Sequence, residues 1–247
     1  MRFIDFSDRK IMVIGASSGV GEKTSILLSQ LGAKVVLASR NIEKLEMVKA
    51  RLLNPDKHVA ISYDVRDVES GKDFFDQAVV DGHKLSGLVY CTGIAKAIPL
   101  RVMSYTEYSD IFSVNYYGFV NVVNLFAKKK YNAGGSIVAV SAVNAHYPQK
   151  CMTLYASSKL AVEAAVRTLS LELADQGIRI NSVIPGAVDT PMTKEVNALM
   201  LESIASKQLL GMQKPEQIAD FIVYLLSDRA NAITGRNLFS DGGMLGQ

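Results

Sequence analysis

Two side chains in this 247-residue sequence could move a proton on and off a substrate: Tyr155 and Lys159, in the run Tyr155-Ala156-Ser157-Ser158-Lys159. On a helix that spacing puts both on one face. A phenol with a pKa of about 10 is a poor base at neutral pH. A cation within roughly 4–6 Å favours the phenolate and lowers that pKa. So paired, the phenol could exchange a proton with an alcohol or carbonyl oxygen. The same spacing is common on plain helix surfaces, and the pair alone decides nothing.

A second group is the turn Gly15-Ala16-Ser17-Ser18-Gly19-Val20-Gly21. Glycines permit a tight turn and close backbone approach, and the helix that follows offers free N–H groups to a pyrophosphate. A glycine turn could simply join a strand to a helix. This one follows the first apolar run and opens a helical stretch, the context a dinucleotide site needs. A third group closes the second apolar run, Ala38-Ser39-Arg40-Asn41. Dinucleotide folds usually carry an acid here for the ribose hydroxyls. Ser39 and Arg40 instead suit a 2′-phosphate through charge-assisted bonds, so NADP(H) is expected over NAD(H). The plain alternative is a solvent-facing arginine at a strand end.

The elements that must position these groups alternate along the chain. Apolar runs of strand length are Lys10–Ile14, Lys34–Ala38, His58–Tyr63, Leu85–Tyr90, Ser136–Val140, Ile178–Ile184 and Asn237–Ser240. Between them, helical periodicity spans Gly19–Leu31, Asn41–Leu53, Val68–Val80, Thr106–Lys129, Thr153–Ala174 and Pro215–Leu226. Such alternation argues an α/β fold with a parallel sheet covered on both faces. No linker, repeat or composition break divides the chain, which reads as one domain over residues 1–247.

Composition excludes several classes. At 49% hydrophobic and 21% charged residues, intrinsic disorder is out. Twenty-seven basic against 24 acidic residues leave a net +3, no signature of a nucleic-acid binder. The run Lys128-Lys129-Lys130 reads as a solvated helix C-terminus. Cys91 and Cys151 make no disulfide framework, and His58, His83 and His146 are scattered, so no metal site is expected. The N-terminus has no apolar signal core. The longest stretch without Asp, Glu, Lys or Arg, Tyr131–Gln149, is broken by Asn132, Gly134, Gly135, Asn144 and Pro148 and is no membrane span. The expectation is a soluble, cytoplasmic protein with no nucleic-acid or membrane partner.

Taken in order, Gly15–Gly21, Asp64-Val65, Asn115, Tyr155–Lys159, Pro185-Gly186 and Asp241-Gly242-Gly243 resemble the short-chain dehydrogenase/reductase family from end to end. The subgroup of roughly 250 residues that includes the 3-oxoacyl-carrier-protein reductases is most similar. The resemblance implies a single Rossmann-type doubly wound sheet and an oxidoreductase moving hydride between a nicotinamide and a small carbonyl or secondary alcohol. It implies Tyr155 as catalytic acid/base, with Lys159 lowering its pKa and holding the nicotinamide ribose. Asn115 would open its helix locally and hold a relay water. Asp64 and Val65 would flank the adenine. Pro185, Gly186, Val188 and Thr190 would run along the nicotinamide. The residues between Thr190 and Pro215, with Met192, Val196, Leu199 and Met200 on one face, would form a substrate lid, and the chain would assemble as a homotetramer.

The sequence departs from the family pattern at three places. Ile14 stands where a threonine is usual. Tyr90-Cys91-Thr92-Gly93 replaces Asn-Asn-Ala-Gly, and repacking rather than loss of cofactor is expected there, with Gly93 retained. The serine usually found thirteen residues before the tyrosine is Ala142. Ser141 is the neighbouring candidate hydroxyl, although adjacent strand residues point to opposite faces. A bulge at the strand end could re-aim it. His146, Tyr147, Gln149 and Met152 are expected at the pocket mouth, with His146 an outside candidate for general acid. Two other functions stay open. One is a 3-oxoacyl-carrier-protein reductase, against which Leu171 lacks the basic side chain often used there. The other is a cofactor-binding protein with little turnover, which Ala142 keeps alive.

Overall fold

The computed structural model describes residues 3–194, 202 and 205–245. Seven strands form one sheet: β1 (Lys10–Ile14), β2 (Lys34–Ser39), β3 (Val59–Ser62), β4 (Leu85–Tyr90), β5 (Asn132–Val140), β6 (Ile178–Pro185) and β7 (Asn237–Ser240). Their order is β3-β2-β1-β4-β5-β6-β7, and every pair is parallel. The chain builds outward from β1 on one side, then crosses to β4 on the other. The carboxyl ends of β1 and β4 therefore flank a topological switch point, where open α/β sheets bind ligands.

Strands covered on both faces must be apolar on both faces. In β1, Met12 and Ile14 enter one core while Ile11 and Val13 enter the other. The first core packs the sheet against α3 (Gly71–Ala78), α5 (Gly118–Phe126) and α6 (Thr153–Leu173) through Phe74, Phe119, Phe126 and Val166. The second packs it against α1 (Gly19–Gln30), α2 (Ile42–Lys49) and a helix at Pro215–Leu226 through Leu28, Leu45, Ile222 and Leu226.

The expected elements are present, with three differences. Thr106–Lys129 is not one helix. It divides into α4 (Tyr105–Phe112) and α5, joined by a π-helical turn at Ser113–Tyr117. Strand β5 starts at Asn132 because Gly134 and Gly135, at φ +93° and +135°, carry a register shift against Leu85–Gly87. Helix α2 stops at Lys49, and the amide of Leu53 instead donates to Ser29 Oγ at 3.0 Å. After β6 the chain forms the short helix α7 (Pro191–Lys194), and Pro215–Leu226 is numbered α8. Of the expected lid residues, Val196, Leu199 and Met200 lie outside the described residues. No helix among the described residues is long and apolar enough to cross a membrane.

Candidate active site

A cleft of about 610 Å³ opens over the carboxyl ends of the strands. Its floor begins at the glycine turn. Gly15 sits at φ +88°, and a Cβ there would fall 2.7 Å from the amide nitrogen of Thr92. A Cβ on Gly21 would fall 2.2 Å from the carbonyl oxygen of Gly15. Only glycine lets the turn fold this tightly between β4 and α1. The Ser18 side chain makes no bond to the first turn of α1, so it leaves those amides for a ligand. Ser17, Ser18, Gly19 and Val20 all line the cleft beside them. Residues and backbone thus fit a pyrophosphate.

At one end the cleft is basic. Ser39, Arg40, Asn41 and Lys44 line it. Asn41 Oδ1 accepts from Lys44 N–H at 2.8 Å, which starts α2 and sets Lys44 one turn beyond Arg40. Lys44 was not singled out by the sequence reading, although its spacing from Arg40 held the signal. Asp64 and Val65 also line the cleft. Arg66 grips the Asp64 carboxylate with two nitrogens, at 3.1 and 2.6 Å, and this bonding holds the carboxyl below its usual range. Asp64 therefore spends its charge on Arg66 more than on Arg40.

At the other end lie Tyr155 and Lys159, 8% and 5% exposed, on the first turns of α6. Lys159 Nζ donates to Val140 O at 2.8 Å and stands 5.9 Å from the centre of the Tyr155 ring. Gly93 makes room: a Cβ there would press within 3.3 Å of both Lys159 Nζ and Asn115 Oδ1. Burial governs the ionisation of the pair. It pushes the Tyr155 phenol up to about 12. It draws the Lys159 ammonium down to about 8, against the opposing influence of Cys91 and Glu163. At the phenol, burial prevails over the cation that was expected to lower its pKa. Desolvation disfavours the phenolate, and the ammonium is already bound to a carbonyl. Near neutrality the site holds a phenol and a largely charged lysine.

Asn115 is not on the cleft wall. It sits fully buried in the π-helical turn, so the local opening expected of its helix is present. Its side chain accepts from Ile94 N–H at 2.7 Å and donates to Ile94 O and Ser158 Oγ at 3.0 and 2.9 Å. These bonds tie the segment after β4 to α6.

The question left by Ala142 has a structural answer. Ser141, a candidate catalytic donor from the sequence, lines the cleft, but its hydroxyl is spent on Glu163, which does not line it. The hydroxyl donates to Glu163 Oε1 at 2.5 Å, and Lys159 O lies 3.4 Å away. The extended backbone at Ala142 (φ −158°, ψ 146°) continues strand alternation, so no bulge re-aims Ser141. The Ala142 methyl packs instead with Tyr155 and Met152. Of the expected mouth residues, Gln149 and Met152 line the cleft, joined by Asn144, whose amide donates to Gln149 Oε1 at 2.7 Å. His146 and Tyr147 do not line it. His146 Nε2 donates to Glu163 Oε2 at 2.8 Å, and its ring packs edge-on against Phe239. It is no general acid for this cleft.

Pro185, Gly186, Val188 and Thr190 form the remaining wall. Two glutamines that no sequence signal marked hold it. Gln208 Oε1 accepts from Ala187 N–H at 2.5 Å, and Gln213 Oε1 from Gly186 N–H at 3.2 Å.

A family model described as enoyl-(acyl carrier protein) reductase matches residues 15–245. A 3-oxoacyl-[acyl-carrier-protein] reductase of Thermotoga maritima is 33% identical over 95% of this chain and 96% of its own. The chain belongs to the short-chain dehydrogenase/reductase family. Other short-chain dehydrogenase/reductase relatives span varied chemistry. They include an L-xylulose reductase of Caenorhabditis elegans, 31% identical over 97% of this chain and 96% of its own. A solved short-chain dehydrogenase/reductase of Brucella melitensis superposes with a TM-score of 0.91 at 27% identity, covering 98% of both chains. The family's members bind a nicotinamide dinucleotide, and the cleft has the form for one.

Proposed function

We propose that this chain is an NADP(H)-dependent oxidoreductase interconverting a small carbonyl compound and its secondary alcohol. The observation that carries the reading is one cleft with a basic corner at Ser39, Arg40 and Lys44 and a buried Tyr155–Lys159 pair at its far end. The glycine turn and the α1 amides between them would hold the pyrophosphate. Arg40 and Lys44 would take the 2′-phosphate, and the segment from Pro185 to Thr190 would lie along the nicotinamide.

A bound nicotinamide supplies or accepts the hydride. The chain does the rest. In reduction, the Tyr155 hydroxyl donates its proton to the carbonyl oxygen as the carbonyl carbon gains hydride, and the phenolate left behind is stabilised by the Lys159 ammonium. In oxidation the phenolate takes the alcohol proton back. The high pKa of the buried phenol suits the reductive direction near neutrality. Without a hydroxyl at residue 142, Tyr155 faces the reacting oxygen without the second donor usual in the family.

That gap favours a second reading, a cofactor-binding protein with little turnover. Losing one donor to a developing oxyanion costs about 10²–10³ in rate, which slows catalysis without abolishing it. A carrier-protein substrate is less well supported: one relative carries that name, but Leu171, 78% exposed, offers no charge to an acidic carrier. A homotetramer and a cytoplasmic location belong to the same proposal. Tyr105, Tyr117 and Leu171 on α4 to α6, 83%, 58% and 78% exposed, supply apolar surface that self-association would cover.

The test is direct. Binding of NADPH and NADH is measured by fluorescence, and NADPH oxidation is followed with a panel of ketones, aldehydes and ketoses. Tighter binding of NADPH together with reduction of one or more carbonyls supports the proposal. Equal affinities reject the cofactor assignment, and binding without any turnover shifts the reading to the second one.

A further inference from the structure

Glu163 lies one helical turn beyond Lys159 on α6 and is 1% exposed. A carboxylate is seldom buried so deeply without a task, because desolvating it is costly unless its oxygens are bonded. Here both are: Ser141 Oγ donates to one at 2.5 Å and His146 Nε2 to the other at 2.8 Å. The backbone carbonyl of the same residue accepts from Asn237 Nδ2 at 3.2 Å, which ties α6 to β7. Ser141 lines the cleft, whereas its partner Glu163, His146 and Asn237 do not. The two carboxylate bonds hold the two ends of the short segment that carries Ala142, Val143 and Asn144 into it.

The second observation is electrostatic. Glu163 follows Lys159 by four residues on α6, the spacing that makes side chains neighbours, and without a direct ion pair its charge raises the Lys159 ammonium's pKa against burial. That ammonium is buried, and its one hydrogen-bond partner within the described residues is a neutral carbonyl, Val140 O. The titratable groups facing it are Tyr155 on α6, Cys91 at the end of β4, and Glu163. His146 faces Glu163 from the loop, while Asn115, Ser158 and Asn237 nearby are neutral. Burial pushes Tyr155 and Cys91 each up to about 12, so neither carries charge where the lysine titrates. Glu163 is left as the counter-charge.

We propose that Glu163 is a positioning residue for the proton-transfer pair: its buried carboxylate keeps Lys159 cationic and, through His146, holds the loop that walls the substrate side of the cleft. The inference rests on Tyr155 and Lys159 being that pair. It also accounts for the orientation of Ser141, whose hydroxyl is occupied as a donor to Glu163.

Competitive acetylation with trace acetic anhydride, read peptide by peptide from about pH 6 to 11, titrates Lys159 without substrate or turnover. The wild-type midpoint should lie near 8. In Glu163→Gln it should fall by about one pH unit, because the charge is gone and the burial is not. Exposed Lys150 in the same digest serves as the internal standard for reagent reactivity. An unmoved or raised Lys159 midpoint in folded Glu163→Gln overturns the counter-charge. Where that variant shows no cooperative thermal transition, Ser141→Ala/Glu163→Met removes the charge together with its hydroxyl donor and is read the same way. The tether is tested separately: in His146→Asn, amide exchange across residues 143–151 should quicken about tenfold or more relative to the sheet. Unchanged exchange there overturns the tether. A chain that reduces no carbonyl can still show the Lys159 shift, and an active chain can fail to, so this inference and the proposed function fail independently.

Discussion

Replacing Ser141 by alanine deletes a hydroxyl that bonds the buried Glu163 carboxylate, and leaves Tyr155, Lys159 and the second oxygen's bond from His146 in place. The structure therefore separates stability from rate at this position. The Ser141–Glu163 bond, 2.5 Å long and buried, involves a charged acceptor. Bonds to charged groups contribute about 1.5–3 kcal/mol, and an acceptor left short of a donor costs a similar amount. For a chain of this size each kcal/mol lowers Tm by roughly 2–4 °C, so Ser141→Ala should melt about 3–12 °C lower. The strand end itself stays in place, because Ser141 N–H still donates to Val183 O at 2.8 Å. Turnover per folded molecule should then stay within about threefold of wild type, against the 10²-fold or greater loss expected of an oxyanion donor. Ala142→Ser is the converse change. The methyl at this position packs beside Tyr155, so a hydroxyl added there faces the reacting oxygen, and turnover on a small ketone should rise, by up to about 10²-fold. Differential scanning fluorimetry and NADPH-oxidation assays on both variants read the two effects. A collapse of turnover in Ser141→Ala with an unchanged Tm would refute the assigned orientation.

Three further outcomes follow from the geometry. Reduction of a carbonyl should decline as pH rises through about 8, because Lys159 loses the charge that stabilises the Tyr155 phenolate while Tyr155, at about 12, stays protonated throughout that range. A pH–rate profile flat from 7 to 10, within about twofold, contradicts this. Arg40→Ala and Lys44→Ala should each weaken NADPH binding about tenfold or more and leave NADH nearly unchanged, since a charge-assisted bond is worth at least one factor of ten. Equal losses for the two cofactors would mean the basic corner does not read the 2′-phosphate. Light scattering at micromolar concentration should report four copies of the chain, and a monomer would leave the apolar surface of α4 to α6 unexplained.

The central strands were legible because both-face burial writes continuous apolar runs, as in Leu85–Tyr90, which coincides with β4; the edge strand β7 coincides with Asn237–Ser240 although it is only partly buried. The π-helical turn was not legible in the periodicity, and only the family resemblance placed a local opening at Asn115. Val114 within the turn and Phe119 just after it continue the periodicity of the helices on either side, and the extra residue that opens the turn leaves no mark in composition. Likewise the glycine turn, Arg40, Tyr155 and Lys159 could be found because local spacing carries their chemistry. The fate of Ser141 could not, because its partner Glu163 lies 22 residues onward and meets it only once α6 has packed on the sheet. His146 looked like a pocket residue by proximity to Tyr155 in sequence, and the same carboxylate takes it away from the cleft. Gln208 and Gln213 carry no local signature, since what matters is their return to backbone amides more than twenty residues earlier.

The measurement closest to the central claim compares wild type with Tyr155→Phe, side by side, for NADPH affinity and for reduction of the best carbonyl found in the panel. Tyr155 lines the same cleft as the glycine turn and the basic corner, and the dinucleotide contacts proposed there do not use its hydroxyl. Affinity should therefore change by less than about threefold, while turnover falls by 10³-fold or more with the loss of the proton donor. A Tyr155→Phe variant that reduces the same carbonyl as fast as wild type would contradict the account.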